Sequence, residues 1–303
     1  MSSVYKAMKK AEEEQSGTQT KESDALPLSE LTSLAQGSEA DDSITVRISA
    51  VEITDLKLRT ESRIFGQDEN TAAGTEQFRL LLGRLLHLQT RTPLKRLLIT
   101  SARRGEGKTH VSANLAITMA RETGRRVLLV DADFRKPDVH KVFGIPNEFG
   151  LSDILRKGRD TWKAIRKVKG LNLYLLTAGS AIDEPPAPSS LLMLKEPLDE
   201  INPAFDCVII DSPPVLVAAD APLLAKLADG ILFVVGASET PRDVVIKAKG
   251  MLGSVPVVGA VLNSARRVSD RHAYDNEQDK IHKHKKEATE NGEAQKVLDG
   301  IFR

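Results

Sequence analysis

From about residue 75 the chain settles into a regular alternation. Short runs of Val, Ile and Leu, hardly interrupted by polar residues, are separated by longer stretches in which apolar residues return at helical spacing. The runs "RLLITSA" (96–102), "RVLLVDAD" (126–133), "LNLYLLTAG" (171–179), "DCVIIDSPP" (206–214), "GILFVVGA" (230–237) and "VVGAVLN" (257–263) read as strands buried on both faces, which is the signature of a parallel sheet. Helices are predicted over "EQFRLLLGRLLHL" (76–88), from Lys108 to Glu122, and near 150–157, 189–200, 220–228 and 241–252. The reading is an α/β fold with a doubly wound, mostly parallel sheet and a ligand site at the carboxyl ends of its strands.

The flanks read differently. Residues 2–14 place Val4, Ala7, Met8 and Ala11 on one helical face, as a short docking helix or a frayed terminal helix would. Residues 15–44 are rich in Ser, Thr, Gly and acids and read as a disordered linker. In 45–70 the segments "TVRIS" and "VEITDLKL" alternate weakly, as short strands or extended chain. The expected organisation is a docking helix over 1–14, a disordered or weakly structured linker over 15–74, a nucleotide-binding domain over 75–265, and a charged C-terminal tail over 266–303.

Composition narrows the function. Lys and Arg number 43 against 42 Asp and Glu, so nothing global points to nucleic acid. Cys207 is the only cysteine and sits in a strand run, where core packing is expected; one cysteine excludes an intramolecular disulfide. The N-terminus has no apolar signal core, and no window approaches the roughly 18 apolar residues of a membrane helix. The expectation is a cytoplasmic chain that reaches a membrane only through a partner.

The chemistry begins at Ala102-Arg103-Arg104-Gly105-Glu106-Gly107-Lys108-Thr109, between a strand and a helix. Gly105 and Gly107 let the backbone curl so that successive N–H groups face an anion. The following helix adds the positive end of its dipole. Lys108 is placed to reach the β- and γ-phosphates of ATP, and the Thr109 hydroxyl to ligate Mg²⁺. Two further strand runs end on acids: Asp131 and Asp133 in one, Asp211 in the other. Strand ends of this fold converge beside the phosphate loop, and Mg²⁺ prefers oxygen ligands.

Together the phosphate loop, "VLLVDADFR" and "VIIDSPP" resemble the bacterial tyrosine kinases of capsular and exopolysaccharide biosynthesis, a branch of the partition-type P-loop ATPases. Asp131, Asp133 and Arg135 match the family's Asp-x-Asp-x-Arg motif, and Asp211 and Pro214 its Asp-x-x-Pro motif. "GLSDILRKG", "LLTAGSAIDEPPAPSSLL" and "DAPLLAKLADGILFVV" follow in the family's order, so the resemblance runs from about Thr75 to Ser264. It implies an ATP- and Mg²⁺-dependent protein-tyrosine autokinase that regulates polysaccharide polymerisation and export. Nucleotide would be held by Arg104, Gly105, Glu106, Gly107, Lys108, Thr109 and His110, with Asn263 near the adenine. Thr109, Asp133 and Asp211 would organise the metal. Lys108 and Asp133 would share the catalytic work with Asp131, the carboxylate nearest the attacking oxygen. The resemblance implies a transmembrane chain-length regulator that activates the kinase at the inner face of the plasma membrane, here as a separate chain although some family members carry both parts in one, and self-association of kinase domains into a ring or dimer.

Three departures stand out. The family's tyrosine-rich tail is reduced to Tyr274 in "RHAYDNEQ", which makes Tyr274 the candidate phosphoacceptor. A tail this poor in tyrosine also fits an ATPase switch of the same pathway without kinase activity. The family's Glu-x-x-Arg-x-x-Arg helix keeps Glu76 and Arg79 but has Leu82 at the third position. Arg103 stands where related ATPases carry an early lysine, and the run "KIHKHKK" at 280–286 reads as a solvated basic tail.

Overall fold

The computed structural model describes residues 43–57, 72–158, 160–180, 186–237, 239–264 and 300. The docking helix, most of the linker, Tyr274 and the basic run therefore lie outside the described residues. The chain divides into two compact units, Met1–Thr45 and Val46–Arg303, and nearly all described residues belong to the second.

Eight strands form one sheet: β1 (Glu52–Thr54), β2 (Arg96–Ser101), β3 (Val127–Asp131), β4 (Ile165–Val168), β5 (Leu173–Leu176), β6 (Cys207–Asp211), β7 (Gly230–Gly236) and β8 (Val257–Asn263). Their spatial order is β1-β4-β5-β3-β6-β2-β7-β8. Every neighbouring pair runs parallel except β4 with β5, which is antiparallel. The six long apolar runs are all strands, as their continuous hydrophobicity predicts, and five of them are buried along their whole length. The exception is β8 at one edge, half-buried at every residue.

Helix α1 (Ala72–Gln89) turns Phe78, Leu82 and Leu85 inward. It packs on α2 (Lys108–Thr123), which is enclosed from Val111 to Ala120. Leu115 and Met119 of α2 lie in one core with Ile99, Leu129, Ile209 and Val234 of the central strands. On the opposite side Trp162 stacks near Phe205, and Tyr174 meets Phe205 edge-on with ring centroids 5.2 Å apart. Tyr174 is thereby enclosed and unable to serve as an acceptor.

The remaining helices are α3 (Val139–Phe143), α4 (Leu151–Lys157), α5 (Pro188–Leu191), α6 (Lys195–Ile201), α7 (Asp220–Ala225) and α8 (Arg242–Met251). Three features differ from expectation. Residues 46–49 of "TVRIS" are helical rather than extended, while Glu52–Thr54 of the neighbouring segment form a short strand, one of the two conformations expected of it, and pair with β4, so part of the expected linker belongs to the sheet. The helix expected near 189–200 breaks into α5, a 3₁₀ turn at Leu192–Leu194, and α6. Strand β4 was not expected: its four residues bury Ile165 and Val168 but leave Arg166 and Lys167 half-buried, too short an alternation to register.

Sheet topology sets up the site. β2 and β3 are consecutive in the chain yet lie on either side of β6. The loop after β2 and the acidic ends of β3 and β6 consequently meet at one edge, where Ile99 and Asp131 both lie in register with Asp211.

Candidate nucleotide and phosphoryl-transfer site

The loop between β2 and α2 has Gly105 and Gly107 both at φ 86°, a left-handed conformation that disfavours any side chain. At Gly107 space is decisive as well: a Cβ would fall 2.0 Å from Asn263 Nδ2. Lys108 opens α2 and is buried.

The loop is held from behind. Asn263, at the end of β8, donates from Nδ2 to the Glu106 carbonyl at 2.9 Å. The Glu106 side chain is buried, and its carboxylate accepts from the Arg103 backbone N–H, from the Gly236 N–H at 3.2 Å, and from the Thr240 hydroxyl. One carboxylate therefore ties the loop to itself, to the end of β7, and to the turn before α8. The sequence reading included Glu106 and Asn263 as nucleotide residues. The structure places their side chains against the loop's back rather than in the cavity wall. The tie to Thr240, 134 residues away, leaves no local signal.

In front of the loop lies a cavity of about 180 Å³. Arg104, Gly105, Gly107, Lys108, Thr109 and His110 form one wall; Asp133, Arg135, Lys136 and Asp138 form another; Pro213, Pro214 and Val217 close it. His110 meets Phe78 of α1 edge-on and neighbours the Asn114 amide.

Beneath the loop, Asp211 accepts from the Thr109 hydroxyl at 2.6 Å and from the Ser112 hydroxyl at 3.0 Å. Asp131, its neighbour across the strands, accepts from the backbone N–H groups of Asp133 and Val139 at 3.2 and 3.1 Å. Both carboxylates are fully buried. Burial drives Asp131 well above the usual carboxylate range, and the charge of Asp211 drives it further. Burial lifts Asp211 to about 6, against the opposing pull of Lys108 and the two hydroxyls. Asp133 lies in the cavity wall, accepts from the Lys136 N–H at 3.0 Å, and is raised more modestly by partial burial. The carboxylate expected nearest an attacking oxygen, Asp131, is thus enclosed, and the one that meets the cavity is Asp133.

An acidic floor of this kind, short of positive charge, suits a cation. Among the described residues no group of three or more His, Cys, Asp or Glu side chains is arranged to hold a metal alone. Mg²⁺ needs less, because it takes most of its oxygens from phosphates and water. The Thr109 hydroxyl, Asp211 and Asp133 are oxygen donors of the right kind.

Two arginines complete the picture. The Arg135 guanidinium is paired with Asp220 at 3.0 Å, a buried acid at the start of α7, which fixes the loop after β3. Arg79 of the Glu-x-x-Arg helix bonds chiefly to Glu122 of α2, at 3.1 Å from Nε and 2.9 Å from Nη2, with Glu76 at 3.8 Å. Cys207 is buried and its thiol pushed up to about 12 by that burial, in keeping with a core role.

A parallel sheet with a glycine loop before a buried lysine, and acids at the two adjacent strand ends, defines a P-loop nucleotide-binding enzyme. Comparison with known proteins agrees and goes further. A family model described as an AAA domain matches residues 95–239. Tyrosine-protein kinase YwqD of Bacillus subtilis is 35% identical over 213 residues, covering 69% of this chain and 88% of that protein. The solved kinase domain of the Escherichia coli tyrosine kinase ETK superposes with a TM-score of 0.61 at 29% identity, over 69% of this chain and 83% of that one. The chimerical protein CapA2B2 superposes with a TM-score of 0.62 at 26% identity, over 75% of this chain and 99% of that one. The chain belongs to the bacterial tyrosine-protein kinases.

Proposed function

We propose that this kinase is an autokinase whose own acceptor is Tyr274, presented by a second copy of the chain, and that it regulates the polymerisation and export of a capsular or extracellular polysaccharide. The observation that carries the chemistry is the meeting of Lys108, Thr109 and Asp133 around one cavity above the Asp131–Asp211 floor.

In this reading the loop N–H groups and Lys108 neutralise the β- and γ-phosphates of ATP. Thr109, Asp211 and Asp133 would hold Mg²⁺, which would supply further charge neutralisation. Asp133 receives the phenolic proton as the tyrosine oxygen closes on the γ-phosphorus. The new O–P bond forms as the bond to the β,γ-bridging oxygen breaks, and ADP leaves with that electron pair. Glu106, Gly236, Thr240 and Asn263 keep the loop amides aimed, so the work is mostly positioning and electrostatics.

We further infer that the chain docks on a separate transmembrane chain-length regulator, which recruits it to the inner face of the plasma membrane. No helix among the described residues is long and apolar enough to cross a membrane. Self-association brings one copy's tail to another's cavity.

The test is the full chain with Mg-ATP, following ADP release and phosphopeptide mass together, with Lys108→Ala as control. Phosphate on Tyr274 that is absent from the control supports the autokinase. The single tail tyrosine favours a second reading, an ATPase switch without tyrosine transfer. ADP without phosphotyrosine, even with the regulator's cytoplasmic segment added, decides for the switch.

A further inference from the structure

Nucleotide and metal account for the floor of the cavity but not for the charge on its rim. Arg104, on the phosphate loop, is exposed and makes no ion pair among the described residues. Lys136, on the loop after β3, has a side chain 67% exposed. Its contact with Asp138 is long, 3.9 Å, and Asp138 is more closely held by Lys141 at 2.7 Å. The other rim cation, Arg135, is already matched by buried Asp220. Two positive charges thus face the mouth beside Asp133 with little of the protein's own negative charge to meet them.

The chain's tyrosines differ sharply in what surrounds them. Tyr274 is followed by acids at +1, +3 and +5: Asp275, Glu277 and Asp279. Tyr5 is followed by Lys6, Lys9 and Lys10. Tyr174 is enclosed in β5. At about 3.3–3.6 Å per residue, an acid one to three positions beyond a tyrosine seated at Asp133 comes within range of a long side chain on the rim.

We propose that Arg104 and Lys136 read acids on the C-terminal side of the acceptor tyrosine, so that this kinase modifies acid-flanked tyrosines, Tyr274 among them, and disfavours Tyr5. This rests on the kinase reading above. It also defines the class of other protein substrates: exposed tyrosines followed within five residues by two or more carboxylates. An exposed ion pair changes an equilibrium constant by up to about fivefold, and salt weakens it, so the preference is modest and salt-sensitive.

The experiment uses the full-length protein with Mg-ATP and two peptides, residues 270–281 as they stand and the same segment carrying D275N, E277Q and D279N. The readout is the ratio of the two kcat/KM values, which cancels changes in basal turnover. The native peptide is expected to be preferred about fivefold at low salt, the ratio falling toward one in about 0.5 M salt. Lys136→Glu is expected to bring the ratio to one or below at low salt. Equal phosphorylation of both peptides by the unaltered protein, or a ratio indifferent to Lys136→Glu, overturns the proposal and leaves the kinase reading standing. Phosphate on neither peptide nor the chain's own tail while ADP still forms, with the regulator's cytoplasmic segment added, overturns both.

Discussion

The two halves of the site, phosphate loop and acidic floor, are built on opposite principles. In the loop, a buried charge is met by protein groups: Glu106 accepts from two backbone N–H groups and a hydroxyl, and Asn263 bonds the loop carbonyl behind it. In the floor, two buried carboxylates stand side by side, with Lys108 the cation offsetting Asp211. The loop is finished by folding alone, whereas the floor carries a charge excess best relieved by a ligand. A nucleotide site of this design has its anion cradle preformed and its cation seat under tension.

Altering each half should therefore have opposite consequences for stability. The largest effect is expected from Asp211→Asn, which removes the carboxylate charge proposed to help hold Mg²⁺ and leaves the Thr109 and Ser112 hydroxyls a single carbonyl oxygen to share. Phosphotyrosine formation should fall at least about a hundredfold, measured by phosphopeptide mass under Mg-ATP. The same variant should be more stable than the parent without nucleotide, by about 1 kcal/mol or some 2–4 °C in Tm. A lower Tm would mean that the floor is not strained.

Next comes Glu106→Ala, which leaves the N–H groups of Arg103 and Gly236 without their acceptor. A loss of about 2–3 kcal/mol in denaturant unfolding is expected, together with a raised KM for ATP. Thr240→Val removes one of the three donors and should cost about 1 kcal/mol. Unchanged unfolding midpoints in both would break the contrast between loop and floor.

The floor also predicts a pH dependence. Asp211 titrates near 6 in the folded chain against an ordinary value of 3.8. Between those limits the folded state holds more protons than the unfolded one, so this group's contribution makes stability fall as pH rises and level off above the window. The advantage of Asp211→Asn should accordingly be small near pH 4 and grow through pH 6, as followed by denaturant melts without nucleotide. Asp131, raised for the same reason, extends the trend upward.

The smallest effect is expected at Arg79, whose partners Glu122 and Glu76 belong to neither half. Its pair with Glu122 is half exposed, and Arg79→Ala should change monomer stability by less than about 1 kcal/mol. A larger loss that depends on protein concentration would instead place Arg79 at a contact between copies.

Much of the framework was legible in the sequence, for physical reasons. A run such as Val257–Asn263 is apolar at successive positions, and Gly105 and Gly107 mark a loop that needs left-handed backbone. Lys108, Thr109, Asp133 and Asp211 are named by spacing, and the sheet's topology brings their segments together. What could not be read is what depends on distant partners. That Asp131 is enclosed in the floor while Asp133 meets the cavity follows from burial, not from their order in the chain. Glu106 looks like a solvated loop acid until Thr240 is placed beside it. Arg79 has an apparent local partner in Glu76 and finds a closer one in Glu122.

The order of the strands has a consequence for how the protein is made. β2 leads into the phosphate loop, yet its two neighbours in the sheet are β6 and β7, and the loop's rear support comes from Thr240 and Asn263. On a ribosome those residues emerge long after Lys108, a delay on the order of ten seconds. Until β6 and β7 emerge the glycine loop has neither sheet neighbour nor clamp. A nascent chain stalled before Cys207 displays the whole phosphate-binding motif with neither neighbouring strand nor the support of Thr240 and Asn263 behind it.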